Sequence, residues 1–279
     1  MKVAIVGTGQ IGQALRAAIP AAQSIGRDII DLEDVRTIEA FDWSKFDVII
    51  NAAAYTDVDG SETEAGALHA QATNADGVAA LATVANMHSL TLVHFSSDYV
   101  FDGTSESPYP ETATPHPLSA YGRSKAVGDT VAATASKHYI VRTSSVYYAG
   151  GKNFVETMLR LGRKRSELAV VSDQVMRPSY AGDIASAVVQ LLDQSPATGI
   201  YNCQNSGDAV SWADFARTIM QFAGLECTIT NITAAEYAHS IPHYAKRPEY
   251  GVLDLTKLAS LGITMRDWHE ALQAYIEST

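Results

Sequence analysis

Short apolar runs alternate with amphipathic stretches of helical length in the first half of the chain. Residues 2–6 form one such run, and Ile11, Leu15 and Ile19 follow it at the spacing of one helix face. The same alternation predicts strands over 22–25, 46–51, 90–96 and 137–143, and helices over 65–87 and 121–134. Repetition of strand and helix is typical of an α/β protein with a doubly wound parallel sheet, which we predict for residues 1–150.

The pattern becomes mixed after Tyr148. Helices are predicted over 153–162, 180–192, 212–222 and 265–276, and strands over 199–203 and 228–232. Ser119 and Ser211 precede helical stretches and are candidate N-caps. Because strict alternation stops here, we predict a smaller mixed α/β substrate lobe made of residues 151–179 and 205–279. Residues 180–204 are expected to pack on the first domain.

Composition and charge narrow the classes of function. The chain has 279 residues, of which 47% are hydrophobic, too many for a disordered protein. Its net charge of −11 disfavours a nucleic-acid partner, because binding to phosphate backbones needs a basic surface. Two cysteines, Cys203 and Cys227, cannot build a disulfide framework or a cysteine-rich zinc site. No apolar stretch of bilayer length and no signal peptide is visible, so we expect a cytoplasmic protein without a membrane partner.

A glycine-rich loop follows the first predicted strand. Gly7, Gly9 and Gly12 form the pattern G-x-G-x-x-G, with Gln10 and Ile11 at the start of the next helix. Such glycines permit a tight turn and close approach of a pyrophosphate, and the helix N-terminus offers unpaired N–H groups to the anion. The pattern in this context predicts a dinucleotide site; a glycine-rich turn without a ligand is the alternative.

The end of the second predicted strand bears on the choice of cofactor. An acidic residue there binds a free ribose 2′-hydroxyl, whereas an arginine accepts a 2′-phosphate. The sequence at this point contains both Arg27 and Asp28. Arg27 favours NADP(H), NAD(H) stays open because of Asp28, and a solvated surface pair is a further alternative.

Three residues in the first half are candidates for catalysis. Ser97 comes at the end of a predicted strand, where open α/β sheets bind their ligands. Tyr121 and Lys125 share one face of the following helix at i and i+4. An ammonium beside the phenol would lower the pKa of Tyr121 and make it a general acid or base near neutrality. A surface Tyr/Lys pair is the common alternative for this spacing taken alone.

Several segments resemble the extended short-chain dehydrogenase/reductases, in particular the dTDP-4-dehydrorhamnose reductase family. The resemblance covers essentially the whole chain, and it rests on the following segments: Asn51–Asp59, Phe95–Gly103, Pro117–Lys125, Val141–Tyr147, Asn153–Met158, Ser172–Gln174 and Lys246–Pro248. It implies a Rossmann-type sheet and NAD(P)H-dependent reduction of the C4 ketone of a nucleoside-diphosphate 4-keto-6-deoxy sugar.

The resemblance also implies roles for individual residues. Tyr121 would protonate the carbonyl oxygen, Lys125 would hold the nicotinamide ribose, and Ser97 would orient the ketone. Further residues implied in dinucleotide contacts are Gly9, Gln10, Ile11, Asp31, Leu32, Ala54, Tyr55 and Thr56. Ser97 and Asp98 match the pair that contacts the sugar in the family.

Departures from the family occur on both sides of the site. In the first turn the family has G-x-x-G-x-x-G and this chain is one residue shorter, and the region after the second strand, which carries Asp31 and Leu32, is also short. Ser145 stands where the family has a substrate-contacting tryptophan, so that a large packing surface is missing. Arg177 could bind a diphosphate in bidentate fashion, or pair with Asp183 at the surface. Asn153 and Arg247 lie in family-like segments and complete the substrate candidates.

Other functions and ligands stay open at this stage. A dehydratase or epimerase of the same fold usually has Asp-Glu after the Ser/Thr, whereas Tyr99 follows Asp98 here. A catalytically silent dinucleotide-binding regulatory subunit is the other alternative. Some relatives use Mg²⁺, but no ligand set is recognisable, and the oligomeric state, including a homodimer, is open. Asp57, Asp59, Glu62 and Glu64 are most simply a solvated loop and helix start.

Overall fold

The computed structural model describes residues 1–279 and is built around a parallel sheet. The strands are β1 (Val3–Val6), β2 (Gln23–Ile25), β3 (Val48–Asn51), β4 (Thr91–Ser97), β5 (His138–Thr143), β6 (Val146–Tyr147), β7 (Glu167–Val171), β8 (Val175–Met176), β9 (Ser179–Tyr180), β10 (Gly199–Asn202), β11 (Val210–Ser211) and β12 (Thr228–Ile232). The helices are α1 (Gln10–Ala18), α2 (Val35–Ala40), α3 (Glu64–Gln71), α4 (Gly77–Met87), α5 (Ala120–Ala132), α6 (Phe154–Gly162), α7 (Ala181–Gln194), α8 (Trp212–Phe222), α9 (Ala234–Ala238), α10 (Thr256–Ser260) and α11 (Trp268–Glu277).

Six strands form the central sheet in the order β10-β5-β4-β3-β1-β2, with every pair parallel. The strands β1 and β3 are buried at all four positions because helices cover both faces. One hydrophobic cluster joins one face to α1 and α7, and a second joins the other face to α2 and α4. The predicted doubly wound parallel sheet is confirmed.

The second half of the chain adds a separate hydrophobic cluster. It gathers residues of α6, α8 and α11 around the short pairs β12-β7 and β11-β8, with Phe215 and Trp268 among the buried side chains. The helix α7 lies against α1, and β10 extends the central sheet beside β5. The division of the chain into two domains with the bounds given above stays a prediction.

Side-chain caps explain where most of the helices begin. Ser119 accepts a hydrogen bond from the N–H of Gly122, and Ser211 accepts one from Asp214, so both predicted N-caps are present. The closing helix begins at Trp268 rather than at 265, because Asp267 caps it. The helices α2, α9 and α10 were not predicted, since five or six residues are too few to show a helical period. The strand β7 was also not predicted, although strands of similar length were.

The predicted helix over 65–87 is interrupted. A π-helical turn over Ala72–Asp76 separates α3 from α4. Asn74 in this turn is buried, accepts a hydrogen bond from the Tyr55 N–H at 2.9 Å and donates to Ser124 Oγ at 3.0 Å. The turn therefore connects the loop after β3 to α5, which fits the frequent occurrence of π-bulges beside functional sites.

Candidate active site

A cleft of about 930 Å³ opens at the carboxyl edge of the central sheet. This is the edge at which doubly wound sheets bind their ligands, and the volume lies within the range of small-molecule and cofactor sites. Fifteen of the predicted site residues line it: Gly7, Gly9, Gln10, Ile11, Arg27, Asp31, Leu32, Ala54, Tyr55, Thr56, Ser97, Asp98, Tyr121, Lys125 and Ser145. Gly12, Asn153, Arg177 and Arg247 are absent from that lining.

The glycine loop has the geometry that a pyrophosphate requires. Gly7 has φ +104°, and a Cβ there would lie 2.6 Å from the backbone nitrogen of Ala53. A side chain at Gly12 would collide with the carbonyl of Gly7, so Gly12 serves the close packing of α1 on β1. Gly9 faces open space and caps α1 without a side-chain hydrogen bond. The N–H groups of the first turn of α1 are therefore available to an anion, and the residues present fit a dinucleotide.

Acidic partners engage Arg27 at the far end of the cleft. Its Nε lies 3.1 Å from Asp31 Oδ2, and its Nη2 lies 3.1 Å from Glu33 Oε1. The arginine side chain is 69% exposed, so these ion pairs are screened by solvent. A 2′-phosphate at this point would have to compete with both carboxylates for the guanidinium.

Tyr121, Lys125 and Ser97 meet at the opposite end. Tyr121 and Lys125 lie on α5 and are buried, and Ser97 ends β4. The Lys125 ammonium donates a hydrogen bond of 2.6 Å to the carbonyl of Phe95, and burial lowers its pKa to about 8. The ring of Tyr99 stands edge-on to that of Tyr121, with 5.5 Å between their centroids. These contacts fix the directions of the two polar groups that face the cleft.

The predicted lowering of the pKa of Tyr121 is wrong. Burial raises it well above its usual value, and the carboxylates of Asp98 and Asp129 act in the same direction, while a hydrogen bond with Ser97 opposes them. The charge of Lys125 is directed to the carbonyl of Phe95 instead. The phenol is therefore protonated throughout the neutral range.

Asp98 is a buried carboxyl beside these groups. Its Oδ1 accepts a hydrogen bond of 2.9 Å from Ser97 Oγ, and the backbone at Gly251 leaves no room for a side chain against Oδ2. Burial raises the pKa of Asp98 to about 7. Its charge thus changes near neutral pH, at the wall of the cleft.

A small cavity of about 20 Å³ adjoins the cleft beside Asp98. Asp98, Tyr99 and Ser145 line both spaces, and Arg247 and Trp212 line the small one. Ser145 has φ +49°, a left-handed backbone that is uncommon outside glycine. Sequence reasoning missed Trp212, although its place directly after the N-cap Ser211 is visible in the chain.

Two substrate candidates have structural partners instead. The Asn153 amide donates to Gln10 Oε1 at 2.7 Å, while its carbonyl oxygen caps α6. The Nη1 of Arg177 donates to the carbonyl of Leu253 at 3.2 Å. The predicted surface pair of Arg177 with Asp183 is wrong, because Asp183 binds Arg266.

A buried ion pair beneath α5 was also missed. The carboxylate of Asp129 binds Nε and Nη2 of Arg142, each at 3.0 Å, and both side chains are almost fully buried. Asp129 follows Lys125 by four residues, so that the two share a helix face. The spacing relates Asp129 to Lys125, whereas its ion-pair partner Arg142 lies 13 positions later on β5, so no local spacing indicated the ion pair.

No helix is both long and apolar enough to cross a bilayer. The side chains also form no group of three or more His, Cys, Asp or Glu residues with the geometry of a metal site.

Known proteins match the chain along its whole length. The family model described as the RmlD substrate binding domain matches residues 1–279. The dTDP-4-dehydrorhamnose reductase of Aggregatibacter actinomycetemcomitans is 40% identical over 96% of this chain and 97% of its own. The spore coat polysaccharide biosynthesis protein SpsK of Bacillus subtilis is 38% identical over 99% and 97%. The crystal structure of dTDP-4-dehydrorhamnose reductase from Bacillus anthracis in complex with NADP has a TM-score of 0.91 at 30% identity, covering 100% of this chain and 99% of the other. The resemblance seen in the motifs is thereby confirmed, and the chain belongs to the RmlD substrate binding domain family.

Proposed function

We propose that the protein is an NAD(P)H-dependent oxidoreductase that reduces the C4 ketone of a nucleoside-diphosphate 4-keto-6-deoxy sugar. The observation that carries the proposal is that Tyr121, Lys125 and Ser97 line one cleft together with the glycine loop. The relatives named dTDP-4-dehydrorhamnose reductase support the same reaction class at 40% and 30% identity.

A bound nicotinamide dinucleotide supplies the hydride in this chemistry. The N–H groups at Gln10 and Ile11 would hold its pyrophosphate, and Ala54, Tyr55 and Thr56 would lie along it, since all of them line the cleft. Lys125 would bind the nicotinamide ribose, with its ammonium held in place by the carbonyl of Phe95.

The chain itself supplies the proton. As C4 accepts a hydride, the carbonyl oxygen takes a proton from the Tyr121 hydroxyl, and the product is an alcohol. The raised pKa of Tyr121 suits this direction, because the donor must be protonated before the step. The Ser97 hydroxyl, which donates to Asp98 Oδ1 in the free protein, would turn its proton to the ketone oxygen and so orient the ketone.

On the substrate side, Arg247 and Trp212 share the small cavity with Ser145. Trp212 would supply aromatic surface for the nucleotide or sugar, in the absence of a large side chain at Ser145. Arg177 and Asn153 stay substrate candidates only if they leave their present hydrogen bonds. A homodimer stays a prediction.

The preference for NADP(H) is a finer prediction. Arg27 is exposed and can turn toward a 2′-phosphate, but Asp31 and Glu33 compete for it. We therefore expect use of both cofactors, with a modest advantage for NADPH.

The test is a panel of nucleotide-linked 4-keto-6-deoxy sugars, each incubated with NADPH or NADH, followed by mass spectrometry of the products. Reduction adds two mass units to the sugar and consumes one equivalent of cofactor. A product of unchanged mass would favour an epimerase, and loss of water would favour a dehydratase. Cofactor binding without turnover of any sugar would favour the regulatory subunit instead.

A further inference from the structure

An ion pair joins two segments that are 188 positions apart in the chain. Asp59 comes directly after residues 52–58, which line the cleft and which we call the cofactor loop. Its Oδ2 accepts a hydrogen bond of 2.7 Å from Nη2 of Arg247, and its Oδ1 accepts one of 2.9 Å from the backbone N–H of Ala245. The acidic run in the sequence predicted a solvated loop. For Asp59 this prediction is wrong, because its carboxylate binds Arg247 and Ala245.

The partner segment, residues 244–251, is here called the strap. It is held to β8 by hydrogen bonds from Val175 N–H to the Glu249 carbonyl at 2.7 Å and from Gly251 N–H to the Val175 carbonyl at 2.8 Å. At its end Gly251 lies directly against Asp98. The strap therefore forms the wall of the small cavity beside the cleft.

The guanidinium of Arg247 has three partners within the protein. It binds Asp59, donates through Nη1 to the Ala245 carbonyl at 2.9 Å, and lies 4.4 Å from the centre of the Tyr244 ring. Its side chain is only 18% exposed, so the ion pair with Asp59 is poorly screened. Tyr244 and Ala245 belong to the strap itself, so Asp59 is the only one of the three partners outside the strap.

Asp57 provides the contrast within the same turn. Its carboxylate accepts a hydrogen bond from the N–H of Gly60, three residues later, and so closes the turn locally. Asp59 instead reaches across to the strap. Of these two carboxylates, Asp57 therefore stabilises the turn, and Asp59 connects the turn to the strap.

We propose that Asp59 is a positioning residue that couples the dinucleotide to the sugar nucleotide. A dinucleotide that orders the cofactor loop also holds Asp59, and Asp59 holds Arg247 and the strap in the arrangement that receives an anionic nucleoside diphosphate. The two ligands then bind cooperatively, and by linkage each tightens the other by the same factor. This inference deepens the proposed function and rests on it for the class of substrate.

The experiment is titration calorimetry of dTDP, with and without saturating NADPH, on the wild type and on Asp59→Asn, Arg247→Met and the double variant. We expect NADPH to tighten dTDP binding at least about 5-fold in the wild type, and this gain to disappear in Asp59→Asn. The double variant should bind dTDP no more weakly than Arg247→Met does. Glu64→Gln, an exposed acid in the same region, is the matched control and should keep the full gain.

Binding and turnover separate the two proposals. NADPH binding alone should be unchanged in Asp59→Asn, which shows that the cofactor site is folded. In the reduction assay the variant should raise KM for the keto sugar and leave kcat within about twofold. Absence of keto-sugar reduction with the cooperative gain intact would overturn the proposed reaction and leave the coupling standing. Equal gains in the wild type and Asp59→Asn, no gain in the wild type, or additive losses in the double variant would overturn the role of Asp59.

Discussion

The two ends of the cleft carry similar charged groups in different surroundings. At the Tyr121 end, Tyr121, Lys125 and Asp98 are 9%, 2% and 4% exposed, and burial is the largest cause of each pKa shift. At the other end, Arg27 is 69% exposed and pairs with Asp31 in solvent. Because a low dielectric strengthens every electrostatic effect and water screens it, substitutions of like chemistry should matter far more at the buried end.

The largest effect is expected for Tyr121→Phe. Loss of the hydroxyl removes the proposed proton donor, which should lower kcat by about 10²–10⁴-fold and leave NADPH affinity nearly unchanged. Stopped-flow or steady-state measurement of NADPH oxidation checks this. Full activity in the variant would show that Tyr121 is not the proton donor. It would also contradict the expectation that substitutions at the buried end have the larger effects.

A stability comparison sharpens the contrast. Asp129→Asn leaves Arg142 as an uncompensated buried charge, and we expect a loss of about 3–5 kcal/mol in the free energy of unfolding. Asp31→Asn, which removes the charge of one partner of the exposed Arg27, should cost about 1 kcal/mol or less. Urea denaturation of both variants gives the two values. Equal losses would show that burial does not separate these ion pairs.

The pH dependence of kcat should report Lys125. Burial lowers the pKa of its ammonium to about 8, so the charged form is present below that pH and is lost above it. With kcat depending on the ammonium, the rate should fall up to tenfold per unit above about pH 8, and a separate change near pH 7 would report the carboxyl of Asp98. The control is Lys125→Met, whose lower rate should lack this alkaline limb. An alkaline limb unchanged in that variant would assign it to another group.

The smallest effect is expected at the exposed end. Arg27→Ala should weaken NADPH binding only a few-fold and NADH binding less, because the guanidinium is shared with two carboxylates and screened by water. The loss should shrink at high salt. Fluorescence titration with each cofactor measures it, and equal weakening of NADPH and NADH would exclude a contact with the 2′-phosphate.

The local elements were largely predictable from the chain. The buried runs of β1 and β3, the cap at Ser119 and the i, i+4 pair of Tyr121 and Lys125 all follow from patterns within a few residues. The glycine loop belongs with them, because tight turns demand particular residues at particular positions. Helices too short to show a clear period, such as α2 and α10, could not be predicted.

The direction of the pKa shift of Tyr121 could not be predicted from patterns within a few residues. The spacing of Tyr121 and Lys125 suggested a lowered phenol pKa, and burial reverses it. The number of layers that cover a side chain depends on the whole fold, which places the ring of Tyr99 against Tyr121 and the carbonyl of Phe95 on Lys125.

The sequence by itself thus determined the main alternation of strands and helices, the glycine turn and the candidates for the reacting groups, because these depend on neighbours along the chain. The tertiary structure alone decided which charges are buried, that Arg27 is already paired, and that Asp59 meets Arg247 across 188 positions. Desolvation and long-range ion pairing depend on distance in space, and that distance exists only once the chain has folded.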